Sequence, residues 1–312
     1  MRIFINIIIL LLINISIVSG NDNAGTAGMQ FLKIGADARG NSLGGAVIGE
    51  VSGVESLYWN PAGLSGLIGR EVILTYNRWL ADMNYMYAGF GMPALFSKLG
   101  TFAGSITFLS EGTLDGDAEE IIELSSLSSY DLAVSAGYGL MIGKMDIGAA
   151  LRFIQKSIFG ESTSGVVADL GFQMNVFNNV RLGMVAKNLG VSSKIGDKPE
   201  DMPLMYQVAL SYSYKTDKNS ISGMISSDIM KDDTPYINFG LEYGYLSTLF
   251  LRAGYRFATE GDSLGGMKGL SLGIGGMMNG VVPMVDMIRA DVTWIPMADL
   301  GNIMQITVML SF

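Results

Sequence analysis

From Arg70 onward the chain alternates apolar residues with small or polar ones in segments of about ten, and a period of two residues belongs to strands with two different faces. In Lys144 to Ile154 one face is Met145, Ile147, Ala149, Leu151 and Phe153, and the other is Lys144, Asp146, Gly148, Ala150 and Arg152. The same division separates Leu249, Leu251, Ala253, Tyr255 and Phe257 from Arg252, Gly254 and Arg256. It ends with Met304, Ile306, Val308, Leu310 and Phe312 against Gln305, Thr307 and Ser311. Fourteen such segments fit between Arg70 and Phe312. A tilted strand of that length crosses a hydrocarbon layer.

A soluble β-sandwich alternates too, so the connections carry the next step. Leu140 to Gly143, Phe177 to Asn179, Lys215 to Lys218 and Gly244 to Ser247 are short, whereas Ser110 to Ser129 and Leu189 to Pro203 are long. Outer-membrane barrels have short turns at one end and longer loops at the other. Two connections depart from the pattern: Ala81 to Met83 is short and Met278 to Asp286 is long. Backbone groups in lipid must be satisfied within the sheet, so the sheet has to close. The expected fold is an all-β, 14-stranded antiparallel transmembrane barrel.

With 41 glycines, 16% charged residues, no Cys and no His, the chain has no disulfide framework, no thiolate or imidazole metal site and no His-dependent catalysis. A net charge of -9 without a basic block opposes nucleic-acid binding. The expectation is a non-enzymatic protein without cofactor or metal, with outer-membrane lipid as its surroundings.

Residues 1–20 read as a signal peptide, with Arg2 before an apolar run and Val18-Ser19-Gly20 for cleavage. Residues 21–69, rich in Gly and Ala, do not alternate and precede a barrel of residues 70–312. A fourteen-stranded barrel has a lumen that wall side chains alone do not fill, so residues 21–69 are expected to plug it. Short helical turns are expected around Met29 to Ile34 and Val54 to Tyr58, with a turn at Asn60-Pro61-Ala62-Gly63.

The stretch Phe31 to Gly40, the following Leu43-Gly44-Gly45-Ala46, and Leu57-Tyr58-Trp59-Asn60-Pro61-Ala62-Gly63-Leu64 resemble the PorV/PorQ family, within the wider FadL-like group of outer-membrane barrels. The Trp-Asn-Pro-Ala-Gly-Leu element just before the first strand is the most specific part. Phe312 is similar to the terminal aromatic of such barrels. The resemblance implies a lumenal N-terminal plug in which Gly44, Gly45, Tyr58, Trp59, Asn60, Pro61, Ala62 and Gly63 have a structural or gating role near the periplasmic mouth. It further implies a part in type IX secretion, with secreted cargo proteins or secretion-machinery subunits as partners. The alternative is FadL-like passage of long-chain fatty acids or other hydrophobic molecules.

The lumen-facing charges Asp131, Asp146, Arg152, Asp169, Arg181, Lys187, Glu242, Arg252, Arg256, Arg289 and Asp291 are mixed in sign, which predicts mutual pairing. Arg252, Arg256 and Arg289 are candidates for holding an anion such as a carboxylate. Strand-breaking glycines such as Gly137, Gly139, Gly171 and Gly183 are candidates for a gap in the wall. The connection Ser110 to Ser129 carries Glu111, Asp115, Asp117, Glu119, Glu120 and Glu123 without the order of a calcium loop, and reads as a solvated acidic loop.

Overall fold

The computed structural model describes residues 26–94, 100–110, 129–158, 161–195, 198–199, 201–259, 269–297 and 300–312. Residues 1–20, expected to be a signal peptide, and most of the acidic connection lie outside the described residues. Fourteen strands form the wall: β1 (Glu71–Arg78), β2 (Asn84–Pro93), β3 (Thr101–Ser110), β4 (Tyr130–Ile142), β5 (Met145–Ile158), β6 (Glu161–Phe177), β7 (Val180–Ser192), β8 (Met205–Lys215), β9 (Asn219–Met230), β10 (Tyr236–Tyr245), β11 (Leu249–Ala258), β12 (Leu270–Val282), β13 (Val285–Pro296) and β14 (Asn302–Ser311). Each pairs antiparallel with its sequence neighbours, and β1 pairs with β14 to close the ring. A small ribbon of Lys194–Ile195 with Lys198–Pro199 sits in the connection after β7.

Alternation sets the two surfaces. Leu151 and Leu251 are 62% and 57% exposed, while the adjacent Arg152 and Arg252 are each 5% exposed. The outward band of Leu, Phe, Val and Ile would be costly in water over such an area, and it suits lipid.

Strand ends differ from the sequence expectation where polarity hides the period. β5 runs to Ile158 and β6 starts at Glu161, with Gln155 opposite Ser164 and Ser157 opposite Ser162. Both faces are polar there, so hydropathy carries no signal, yet the hydrogen-bonded ladder continues. The expected long connection after Met277 is a tight turn: β12 reaches Val282, β13 begins at Val285, and Met284 turns the chain at φ 70°. A register shift between Asn279 and Val282 breaks the alternation and so masked this strand end.

Residues 26–69 fold inside the ring. Short turns follow one another at Gln30–Lys33, Ala38–Ser42, Ala46–Gly49, Ser56–Trp59 and Pro61–Gly66. Ala38–Ser42 was not foreseen, although Asp37 caps it by accepting the Gly40 N–H at 2.8 Å. Pro61–Gly66 lies against β4, β5 and β6, Ala46–Gly49 against β7, β8 and β9, and Ala38–Ser42 against β11 to β14. The segment therefore touches most of the circumference.

Wall glycines make this approach possible. A Cβ at Gly148 would lie 2.2 Å from the Pro61 carbonyl, one at Gly171 2.1 Å from Asn60 Oδ1, and one at Gly183 2.3 Å from the Ile48 carbonyl. Gly137 and Gly139 seat Leu57 and Leu64 in the same way. These glycines are seats for the segment, which corrects the expectation that they mark a gap in the wall. Gly148→Ala is expected to loosen the segment by about 1–3 kcal/mol while leaving the barrel closed. The check is a dye on Ser52→Cys, a single thiol in this cysteine-free chain, which should report undocking at lower guanidinium while heat-modifiable gel migration is unchanged.

Candidate functional site

The segment divides the interior into a charged, packed layer and an open cavity. On the packed side, the Asn60 side-chain amide donates to the carbonyls of Ile48 (2.8 Å), Phe172 (3.2 Å) and Met184 (3.3 Å), and its Oδ1 accepts from Ala62 N (3.2 Å). Gln173 of β6 donates to the Ile48 and Val51 carbonyls at 2.9 and 3.1 Å. Asn60, Pro61, Ala62 and Gly63 are all buried, and Asn60 caps the Pro61–Gly66 turn that the sequence presents only as a bend. Here the resemblance motif does mechanical work: it ties the segment to the β6 and β7 backbones.

An ion network joins the segment to the opposite wall. Arg39 reaches Glu242 (3.1 Å), Glu55 (3.4 Å) and Glu50 (3.5 Å). Arg252 contacts Glu242 and lies 2.7 Å from Asp291, while Arg289 pairs with Glu55 and lies 2.9 Å from Asp291. Three guanidiniums thus meet four carboxylates in a nearly dry layer. Elsewhere Arg152 pairs with Asp169 at 3.0 Å and Arg181 with Asp146 at 3.0 Å, in line with the expected mutual pairing.

The three candidate anion-binding arginines do not converge on one site. Arg252 and Arg289 are committed to protein carboxylates and share Asp291. Arg256 pairs with Asp228 at 3.5 Å and stacks 4.2 Å from the Tyr236 ring. Sequence spacing put them in neighbouring parts of the closing sheet, but it did not show that each would meet a carboxylate: Glu242 and Asp291 for Arg252, Asp228 for Arg256, and Glu55 of the segment with Asp291 for Arg289.

The cavity encloses about 670 Å³ at the end of the barrel where the longer connections lie. Leu109, Met205, Met230, Tyr236, Ala258, Leu270, Ile295 and Ile303 line its walls, with Trp79, Met83 and Met297 from the connections. Its floor is Phe31, Ile34, Gly44, Gly45, Tyr58 and Trp59 of the segment. Gly44 and Gly45 take φ of 65° and 79°, and a Cβ on Gly44 would lie 3.2 Å from the Phe239 carbonyl. Tyr58 and Trp59 pack edge to face, 5.0 Å between centroids at 86°. The Tyr58 hydroxyl donates to the Leu32 carbonyl at 3.1 Å, and the Trp59 indole N–H donates to the Asp37 carboxylate. Mostly apolar, with a few charged groups, this is the form of a small-molecule site. Among the described residues no cluster of acidic side chains has the form of a metal site.

Of the polar groups here, the sequence reading missed Asp37, Arg39 and Glu55, because a short non-periodic segment gives no face to assign. Lys187 was recognised as lumenal but grouped with paired charges. Its signal was available: Val185, Lys187 and Asn188 all point inward, so the alternation slips by one residue at Asn188.

No known protein family and no curated relative matches the chain by sequence. Solved structures do match by shape. The toluene transporter TodX of Pseudomonas putida aligns over 89% of this chain and 97% of its own, at a TM-score of 0.57 and 13% identity. The monoaromatic hydrocarbon channel CymD aligns over 89% and 98%, at 0.58 and 13%. A FadL homologue of Pseudomonas aeruginosa aligns over 89% and 98%, at 0.54 and 9%. The fold is FadL-like. This barrel is of outer-membrane type.

Two consequences concern the segment. Arg39→Met leaves Glu242, Glu50 and Glu55 short of a buried cation and is expected to cost about 3–5 kcal/mol of docking. Asp37 has its carboxyl pushed up to about 6 by burial and, next, by the charge of Glu55. An acid whose folded value is raised favours the docked form while protonated, so the Asp37 contribution to docking is greatest near pH 4 and declines as pH rises to about 6. The dye on Ser52→Cys should show that trend between pH 4 and 7, and Asp37→Asn should flatten it.

Proposed function

We propose that the protein passes hydrophobic small molecules through the outer membrane. The observation that carries this reading is the apolar cavity between the segment and the loop end of the barrel, in a fold shared with TodX and CymD. A molecule leaving the loops meets Trp79, Met83 and Met297, then the Met205 and Met230 side chains, then the aromatic floor. Thioethers, with three rotatable bonds and a polarisable sulfur, adapt to irregular apolar shapes, which suits transient occupancy. The segment bars a straight route to the short-turn end, so onward passage requires it to shift in its glycine seats.

Export of cargo proteins, which the PorV/PorQ resemblance implies, is the second reading. Its support is the motif between Phe31 and Leu64, whose residues are spent on packing and on the cavity floor. A 670 Å³ cavity closed below suits a small molecule and not a polypeptide.

The test is uptake of radiolabelled toluene by cells whose outer membrane carries the protein, against cells carrying the empty vector. Uptake is expected to rise several-fold and to fall again with Ala258→Trp, which fills the cavity. Uptake no greater than in the control would overturn the proposal.

A further inference from the structure

We propose that Lys187 is a head-group site on the cavity wall, and that its ligand is an aromatic acid, a planar ring bearing one anionic oxygen group. The proposal rests on reading the cavity as a passage for hydrophobic molecules and names the class of molecule it selects.

The backbone is built to deliver this side chain. Ala168 pairs with Leu189 and Leu170 with Ala186, so Asp169 of β6 faces two residues of β7, Lys187 and Asn188. Asn188 stands at φ 60°, a conformation that costs a non-glycine residue on the order of 1 kcal/mol. Its N–H is held by the Asp169 carboxylate at 2.7 Å, in place of a ladder carbonyl. Two successive side chains therefore point inward, each 1% exposed. Bulges of this kind re-aim side chains beside functional sites.

What arrives there is a cation without an anion. Asp169 gives one oxygen to Asn188 N–H and the other to Arg152, and neither comes within 4.0 Å of the Lys187 ammonium. Among the described residues the Lys187 ammonium makes no hydrogen bond and no ion pair. The lumenal arginines Arg152, Arg181, Arg252, Arg256 and Arg289, by contrast, each have a carboxylate. The ammonium lies 3.7 Å from the centroid of the Tyr58 ring and 5.8 Å from that of Trp59. A ring face compensates one side of a desolvated cation only in part, and the other N–H groups still need an acceptor. An anionic oxygen entering the cavity supplies it. The edge-to-face Tyr58–Trp59 pair and the Met205 and Met230 thioethers favour a ring as the body attached to that oxygen.

Calorimetric titration of the purified full-length barrel with 4-butylbenzoate, butylbenzene and dodecanoate tests the proposal. The acid is expected to bind about tenfold more tightly than butylbenzene and than dodecanoate. Lys187→Met should remove the preference for the acid while leaving butylbenzene binding within about twofold. Heat-modifiable gel migration reports whether the variant folds; if it does not, the wild-type comparison of 4-butylbenzoate with butylbenzene decides. Equal binding of those two overturns the head-group site and leaves hydrophobic passage standing. Dodecanoate binding as tightly as 4-butylbenzoate overturns the aromatic assignment. If none of the three binds, the passage reading fails together with the inference.

Discussion

Everything in this molecule follows from the need to pair each wall amide and carbonyl where no water can serve. The sheet meets that need by returning β14 to β1, with eight consecutive residue pairs from Glu71 opposite Ser311 to Arg78 opposite Met304. Closure at fourteen strands creates an interior too wide for wall side chains to fill. The N-terminal segment fills it, and the wall yields room by omitting side chains at Gly148, Gly171 and Gly183. Part of the high glycine content is thus a property of an interface within one chain.

The segment is held differently on its two sides. Toward β4 to β7 it is wedged backbone to backbone, with Asn60 and Gln173 spanning the joint. Toward β10 to β13 it is seated on Gly240, Gly254 and Gly273 as well, and charges are added there, Arg39 and Glu55 against Glu242 and Arg289. A dry ionic contact is costly to form and costly to break singly, so it specifies position more than it adds stability. Between these two anchors the upper surface of the segment becomes the cavity floor. Fold and site are one construction.

Much of this was legible in the sequence. Fourteen strands and their two faces could be read because lipid outside and polar atoms inside give opposite preferences at alternate residues, as in Met145 to Ile154. Strand ends such as Gln155 to Ser164 were not legible, since hydrogen bonding there continues where hydropathy contrast stops. Pairing could be expected from mixed signs, but Glu55 with Arg289 joins residues 234 apart in sequence, and only the packed segment shows it. The gap suggested by Gly171 and Gly183 failed for an informative reason: a missing side chain signals close approach, and the sequence does not say what approaches. Lys187 was visible as a lumenal charge, while its isolation depends on Asp169 being used by others.

The segment runs directly into β1, one of the two strands of the seam. That continuity has a consequence for assembly. The seam joins the strands farthest apart along the chain, which makes it the wall contact with the greatest loop-closure entropy to overcome. A filling tethered to the closing edge is covalently part of the seam, so it cannot diffuse out of the ring even when its own contacts open.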